Sequence, residues 1–258
     1  MSFNLLLDSS LAKQQRNNHN QKSHDFTIYF NPPIDLNREK NYKAALNRLI
    51  TMSYSWYNVA ERYGNNKIKW RKNPGDWQTL TFPDGMYDYD GIKGFLQSKT
   101  GFIDPNDKDK GHIFDLYFDF TIYRVVILMA KDYELDLTGG EFASLLGYEK
   151  EILKDETNFT GEVIPDITRG VDWVFLHCDL ISRRTNEVEN DVLYSFSTSN
   201  LQVTYPFKEE PYRLKFHPVN KSLIYSVRVR VTDGQNSILD LNGVNIALSL
   251  MIEEEFHP

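Results

Sequence analysis

Cysteine is almost absent from this chain, and so are the long apolar runs of membrane proteins. The 258 residues include a single cysteine, Cys178, so no disulfide can form within the chain and a reducing compartment is expected. No apolar run approaches the roughly 20 residues that a membrane-spanning helix requires. Met1–Ser10 lacks the basic start and apolar core of a secretion signal. We therefore expect a soluble protein without a membrane span that is cytosolic or nuclear when made.

An excess of basic residues is also missing. The chain carries 29 Lys and Arg against 36 Asp and Glu, which gives a formal net charge of −7. A protein whose main surface follows nucleic-acid phosphates needs clustered cations, so the folded body is not expected to bind nucleic acid as its primary partner. The sequence also contains no glycine-rich phosphate-binding pattern. Nothing in it therefore indicates nucleotide chemistry.

Alternation of apolar and polar residues is the strongest pattern that is present. Residues 223–232 and 244–252 place apolar side chains at every second position, and an Asp233-Gly234 turn signal lies between them. A period of two puts the apolar set on one face of a strand, and Asp-Gly between two such runs indicates a hairpin. Further strands are predicted at Asp25–Phe30, Tyr42–Tyr57, Lys67–Arg71, Gln78–Phe82, Ile113–Ala130, Val171–Ser182 and Asp191–Ser197.

These strands predict an all-β fold, a single jelly-roll β-sandwich of about eight main strands with short helices in the connecting loops. The helices are expected to begin at Asp90, which has the position of an N-cap residue, and to cover Glu141–Gly147, which ends at a glycine. The chain holds 16 Phe, 15 Tyr and 4 Trp, and buried aromatic side chains of this number can fill a large core. No catalytic, cofactor-binding or metal-binding function follows from the strand pattern itself.

The stretch after the first seven residues contains little that a core could bury. Residues 8–24 are polar and include Lys13, Arg16 and Lys22. We predict a flexible polar N-terminal arm over residues 1–24 and one jelly-roll domain over residues 25–258. Such an arm either stays untethered or becomes ordered against a neighbouring subunit. In the second case the candidate assembly contacts are Lys13, Arg16, Lys22 and His24.

Histidine and cysteine are placed where enzymatic chemistry has to be considered. His177 and Asp179 lie two residues apart on a predicted strand, so they share a face and could bind a metal together with His112 or His217. The pattern lacks the paired histidines and following glutamate of metal-dependent cupin enzymes, and a hydrogen-bonded structural His177 is favoured. Cys178 points away from His177 and is interpreted as a buried hydrophobe. We therefore predict no metal, no cofactor and no enzyme activity.

Several short motifs follow one another in a particular order over roughly residues 26–252. They are Phe30–Leu36, Lys40–Leu46, Glu141–Tyr148, Phe175–Ile181, Val192–Phe196, Val231–Gly234 and Ile238–Gly243. Their order resembles that of the single jelly-roll minor capsid, or penton, proteins of Polinton (Maverick) elements and related double-stranded DNA viruses. The chain departs from that pattern at Met251–Glu255, where it is acidic instead of basic.

This resemblance implies a structural protein of a virion that needs no cofactor. It implies five copies around a vertex of an icosahedral shell, in contact with double jelly-roll major capsid proteins. It also implies synthesis in a host cytoplasm and assembly there or in the nucleus. The arm is then expected to contact the inner shell or neighbouring subunits, and the loops Thr100–Gly111 and Glu149–Gly170 are expected to form outer or lateral surfaces.

Two other functional classes stay open. Aromatic residues such as Tyr54, Trp56, Tyr57, Tyr63 and Trp70 could stack on sugar rings in a carbohydrate-binding or attachment β-sandwich, although core packing of Tyr54 and Trp56 is favoured by their spacing. A cupin-type enzyme would instead require a bound metal.

Overall fold

The computed structural model describes residues 2–15, 21–52, 55–104, 106–169, 171–185, 188–198 and 206–255. The strands in chain order are β1 (Ser2–Asp8), β2 (Asp25–Asp35), β3 (Tyr42–Met52), β4 (Lys67–Lys72), β5 (Gln78–Thr81), β6 (Phe114–Asp119), β7 (Arg124–Met129), β8 (Tyr133–Asp136), β9 (Ile152–Leu153), β10 (Asn158–Thr160), β11 (Trp173–Cys178), β12 (Arg183–Thr185), β13 (Val188–Asn190), β14 (Val192–Ser197), β15 (Pro206–Glu209), β16 (His217–Pro218), β17 (Leu223–Asp233) and β18 (Ala247–Glu254). The helices are α1 (Ser9–Gln14), α2 (Tyr89–Thr100) and α3 (Phe142–Leu146), and short 3-10 turns cover Glu61–Tyr63 and Lys108–Lys110.

The chain divides into two compact units, of which unit 1 comprises Met1–Trp56 and Val171–Pro258 and unit 2 comprises Tyr57–Gly170. In unit 1 the first sheet has the order β1-β18-β3-β15, with β16 also on β3, and the second has the order β14-β11-β17-β2. These two sheets contain eight strands if β15 and β16 are counted as one. Numbered 1 to 8 along the chain, the strands of the first sheet follow the order 1-8-3-6 and those of the second follow the order 5-4-7-2. This winding is that of a jelly roll and confirms the predicted fold class.

Alternating burial along the strands explains why these sequences form a sandwich. On β17, Val227, Val229 and Val231 are buried whereas Arg228 is exposed, and on β18 Leu248, Leu250 and Ile252 are buried. The two sheets meet where the ring of Phe196 on β14 lies 4.7 Å from the ring of Phe207 on β15. Each fully buried aliphatic side chain contributes about 1.5–3 kcal/mol to the free energy of unfolding, so the period of two determines which face of each strand is inside.

The N-terminus differs from the predicted flexible arm. β1 pairs antiparallel with β18 along its whole length, from Ser2 opposite Glu253 to Asp8 opposite Ala247. Leu5 and Leu7 are buried, and α1 follows directly. The physical reason is that the apolar face of this short strand covers part of the core of the sandwich. Where the structure describes residues 1–24, the expected domain boundary after residue 24 is therefore not found, and β1 is the first strand of the jelly roll.

Unit 2 is inserted in the sequence between β3 and β11. It contains a three-stranded sheet of order β10-β7-β6 and a four-stranded sheet of order β5-β4-β8-β9. Its core is apolar, with Phe82 near the centre, where the ring lies 4.8 Å from that of Phe142 and 4.6 Å from that of Phe95. The predicted strands at 67–71, 78–82 and 113–130 therefore belong to this unit and not to the jelly roll. The last of them is a hairpin, β6 and β7, instead of one long strand.

Both predicted helices are present in unit 2. α2 begins one residue before Asp90, and the side chain of Asp88 caps it by accepting a hydrogen bond from the Gly91 N–H at 2.7 Å. α3 ends at Gly147, which has a φ of +76° and comes so close to the neighbouring loop that an added Cβ would lie 2.3 Å from the carbonyl oxygen of Val163. None of the helices in the described part of the chain has the length and apolar character needed to span a membrane.

Candidate assembly surfaces

The predicted assembly contacts are not all placed on a free surface. Lys13 lies on α1, where its Nζ donates hydrogen bonds to Ser23 Oγ at 3.0 Å and Asn245 Oδ1 at 3.1 Å. His24 is buried, and its Nδ1 lies 3.3 Å from Asp240 Oδ1. Both residues therefore hold the jelly roll together, which corrects the expectation that they project from a flexible arm.

The other two predicted contacts have different positions. Lys22 is exposed beside the start of β2, where its carbonyl oxygen accepts a hydrogen bond from the Asp25 N–H. Arg16 lies outside the described residues. Of the predicted set, Lys22 is thus exposed, Lys13 is half-buried and His24 is buried.

His177 is held in a polar network on the second sheet. Its Nδ1 lies 2.6 Å from Asp191 Oδ1 and its Nε2 lies 3.0 Å from Thr232 Oγ1. Arg230 donates a further hydrogen bond to Asp191 Oδ2 at 3.0 Å. Burial raises the pKa of Asp191, but the hydrogen bonds with His177 and Arg230 and the charge of the Arg230 guanidinium outweigh burial and hold this pKa below its ordinary value. These contacts give His177 a structural role, as the sequence favoured.

Cys178 is fully buried next to this network. Burial raises the pKa of its thiol to about 12, which keeps the sulfur protonated and unreactive at neutral pH. No group of three His, Cys, Asp or Glu side chains that could hold a metal ion is found in the described ranges. Neither Cys178 nor His177 therefore presents a reactive atom to a substrate.

The β6–β7 hairpin of unit 2 ends in an exposed apolar cluster. Phe120, Ile122 and Tyr123, which we call the tip cluster, have exposed fractions of 79%, 48% and 60%. Large apolar side chains exposed together are uncommon on soluble proteins and mark surfaces that contact other molecules. The apolar run Ile113–Ala130 predicts one strand here, and a strand gives no sign of an exposed cluster at its middle.

Hydrogen bonds and ring contacts hold the tip cluster in one shape. Asp119 Oδ1 accepts a hydrogen bond from the Thr121 N–H at 2.7 Å, and Arg124 Nη1 donates to the carbonyl oxygen of Tyr123 at 3.0 Å. The ring of Phe118 lies edge-on to that of Phe120, with 4.9 Å between their centroids. Rigid aromatic side chains lose little conformational entropy on binding, so this tip is preorganised for contact.

A second exposed apolar pair lies at the same end of the three-stranded sheet. Thr160 of β10 pairs with Val126 of β7, and the Gly161 N–H donates to the Val125 carbonyl oxygen at 2.9 Å. The chain therefore leaves the sheet beside the start of β7, where the hairpin turns. Val163 and Ile164, which follow, are 57% and 67% exposed.

Unit 2 also contains a cavity of about 440 Å³, which we call the unit 2 cavity. Its lining is mainly apolar and comes from Glu61, Gly64, Asn66, Lys67, Ile68, Lys69, Thr79, Asp136, Gly139 and Gly140. The Nζ of Lys67 lies 3.6 Å from Glu61 Oε1, whereas Lys69 has no ion-pair partner among the described residues. The cavity therefore has a mainly apolar wall, and both acidic and basic residues are among those that line it.

A smaller cavity of about 250 Å³ in unit 2 is polar. Asn73, Lys131, Asp132, Tyr133, Glu134, Asp155, Glu156 and Thr157 line it. Glu134 is already bound, because it accepts hydrogen bonds from Arg71 Nε at 2.7 Å and from Asn73 Nδ2 at 2.8 Å. These contacts join β4 to β8. The charge of Glu134 therefore has a structural role in this unit.

The outer faces of the jelly roll are mixed in character. On the first sheet, Leu6 and Ile50 are exposed, and Arg48 lies near Glu210 with 2.6 Å between Nε and Oε1. On the second sheet, the side chains of Trp173 and Tyr225 have exposed fractions of 49% and 62%. Of the aromatic residues considered for sugar stacking, Trp56 is buried and Tyr54 lies outside the described residues.

Comparisons with known proteins show a similarity of fold and none of sequence family. No model of a known protein family matches this chain, and no curated protein matches it. Among solved structures, the fold is similar to the crystal structure of the selenomethionine-labelled mavirus penton protein. The similarity covers 98% of this chain and 99% of that chain, with 13% sequence identity and a TM-score of 0.48.

Proposed function

We propose that this protein is a structural capsid protein that occupies the vertices of an icosahedral shell. In this proposal five copies form a ring and contact double jelly-roll major capsid proteins, and the protein acts in the virion without a cofactor. The observation that carries the proposal is the jelly-roll winding of unit 1 together with the positions of the motifs. Phe30–Leu36 includes the end of β2, Lys40–Leu46 covers the start of β3, and Val192–Phe196 lies on β14.

The chemistry of the described residues supports a structural role. Jelly rolls serve as capsid proteins, lectins and cupin enzymes. His177 and Cys178, the residues closest to enzymatic patterns, are engaged in the packing of the second sheet. The exposed tip cluster of unit 2 is instead suited to contact with another protein.

A carbohydrate-binding or attachment domain is the second candidate, because aromatic side chains are exposed on the second sheet. Trp173 lies next to the residue that pairs with Asp233, whereas Tyr225 lies eight positions earlier on β17. At about 3.3 Å per residue the two rings are on the order of 25 Å apart, so they do not form one sugar platform. This distance favours the capsid function.

Co-expression with the companion major capsid protein tests the proposed function. We expect purified particles to contain this chain, and cryo-electron microscopy to show its density at the fivefold vertices. Particles assembled without this chain should lack that density. Exclusion of the full-length chain from well-formed particles would overturn the proposal, and specific binding in a glycan array by a monomer that is absent from particles would support the attachment function.

A further inference from the structure

We propose that the tip cluster of one copy docks into the unit 2 cavity of a neighbouring copy. The inference rests on the proposed function, because it assigns the contact that closes the ring of subunits. The occupant is thus a second copy of this chain, and its anchor is Phe120, the most exposed side chain of the tip cluster. An aromatic side chain that fills a pocket of its partner is the typical centre of a protein interface.

The size of the cavity fits this anchor. A cavity of about 150 Å³ holds a benzene-sized ring, and the unit 2 cavity of about 440 Å³ therefore has room for Phe120 and for one of its two neighbours in the cluster. Ile68, Gly139 and Gly140 are among the lining residues, and two lysine stems add apolar wall. The walls match the aromatic surface that the tip presents.

The charges beside the two surfaces are complementary. Asp119 lies at the base of the tip, and one of its carboxylate oxygens is engaged by the Thr121 N–H. Lys69 lines the cavity and has no acidic partner in the part of the chain that the structure describes. On docking, the ammonium group of Lys69 is available to the carboxylate of Asp119. Arg124 at the tip and Asp136 at the cavity also carry opposite charges, although Asp136 Oδ1 already accepts hydrogen bonds from the N–H and hydroxyl groups of Thr138.

The contact has the symmetry that a ring requires. Tip and cavity are different surfaces of the same unit, so each copy offers one of each, and the contact is heterologous. Heterologous contacts continue from copy to copy and close when the rotation allows it, whereas a contact between two tips would stop at a dimer. The acidic base of the tip and the net charge of −7 make an anionic lipid surface a poorer occupant.

Two single variants separate the two surfaces. Phe120→Ser removes the anchor, and Gly139→Phe fills the cavity from a position where an added Cβ meets nothing within 4 Å. Tyr212→Ser, which removes a 97% exposed side chain in unit 1, is the matched control. Native mass spectrometry and analytical ultracentrifugation of the full chain report the oligomeric state, and thermal unfolding checks that each variant is folded.

We expect the wild type and Tyr212→Ser to form the ring, and we expect Phe120→Ser and Gly139→Phe to be monomers with at least a tenfold weaker association. A 1:1 mixture of the two variants should form heterodimers and nothing larger, because one variant keeps the cavity and the other keeps the tip. If Gly139→Phe fails to fold, Lys69→Glu is the second cavity variant, with the same expected result.

A wild-type ring that persists in Phe120→Ser, or a mixture that forms no heterodimer, would overturn the docking proposal. A wild-type chain that is monomeric in solution would overturn it too. These outcomes leave the vertex function to be decided by incorporation into particles. Exclusion of the wild type from particles while the heterodimer forms would instead overturn the vertex function and leave the docking contact established.

Discussion

Leu7 lies directly opposite Leu248 in the first sheet of unit 1, and both side chains are fully buried. β1, near the N-terminus, is therefore hydrogen-bonded along its length to β18, near the C-terminus. This pairing is formed between residues at the two ends of the sequence, so its loop-closure entropy is a cost that burial of apolar side chains has to offset. It makes β1, Ser2–Asp8, part of the core structure of the jelly roll.

Substitution of Leu7 by Asp should therefore prevent stable folding of unit 1. A buried carboxylate without a partner costs about 3–5 kcal/mol, against a typical total of about 5–15 kcal/mol for the free energy of unfolding. Leu6→Asp is the matched control, because Leu6 is the neighbouring residue of the same strand and is 57% exposed. Urea denaturation followed by circular dichroism should show a large loss for Leu7→Asp and a change within about 0.5 kcal/mol for Leu6→Asp. Equal stability of the two variants would contradict the register of β1.

The same strand shows what the sequence could not reveal. The positions of strands with regular alternation, such as β17 and β18, were predicted correctly because the period of two is a local signal. The hairpin expected between them at Asp233-Gly234 was wrong, because β17 pairs with β11 and β2 whereas β18 pairs with β1 and β3 in the other sheet. β1 was missed because Leu5, Leu6 and Leu7 form a short continuous run without alternation, and because its partner is far away in the sequence. Lys13 and His24 were placed on a free N-terminal arm for the same reason, whereas both have partners within unit 1. Their role as assembly contacts stays a prediction.

The division of the chain into two units could not be predicted from the local alternation of apolar and polar residues. β4 and β5 were predicted close to their observed positions, but alternation does not tell which sheet a strand will join. The exposed residues of the tip cluster lie between two strands that resemble one apolar run, Ile113–Ala130. The pairing of Asp119 with Arg124 shows that the chain turns between these two residues, and the apolar run itself contains no signal for this turn.

A surface ion pair of the second sheet should make stability depend on acidic pH. Arg228 Nη2 donates to Asp25 Oδ2 at 2.6 Å and its Nε donates to Oδ1 at 2.8 Å. The hydrogen bond from Arg228 is the main reason why the pKa of Asp25 lies below its ordinary value of 3.8. Because the folded-state pKa is depressed, this stabilisation is present above pH about 4 and is lost as the pH falls through the folded-state pKa.

Asp25→Asn should therefore lower the free energy of unfolding at pH 7 by about 1 kcal/mol or less, since solvent screens a half-exposed pair. The difference from wild type should shrink as the pH falls below 3.8. Arg228→Gln serves as the partner control, and the double variant should lose no more than either single variant loses by breaking the pair. Chemical denaturation at several pH values measures this, and a difference that grows towards low pH would contradict the assignment.

The thiol of Cys178 should be inert while the second sheet is intact. It is fully buried, and burial raises its pKa to about 12, so both access and the reactive thiolate form are lacking at neutral pH. A thiol reagent such as dithionitrobenzoate should not react with the native protein at pH 8 but should label one thiol per chain in denaturant. Rapid labelling of the native protein would show that β11 is not packed as described.

Substitution of Gly147 by alanine, which adds one methyl group, tests the packing of unit 2 at the end of α3. Its φ of +76° is costly for any other residue, and an added Cβ would lie 2.3 Å from the carbonyl oxygen of Val163, too close for ordinary packing. Gly147→Ala should therefore lower the free energy of unfolding of unit 2 by about 1–3 kcal/mol. Gly94→Ala is the matched control, because Gly94 lies inside α2 with open space around the added methyl group, and alanine there should stabilise the helix by about 0.5–1 kcal/mol. Thermal unfolding of both variants should thus show shifts of opposite sign, whereas a stabilising effect of Gly147→Ala would mean that α3 does not end at the observed glycine.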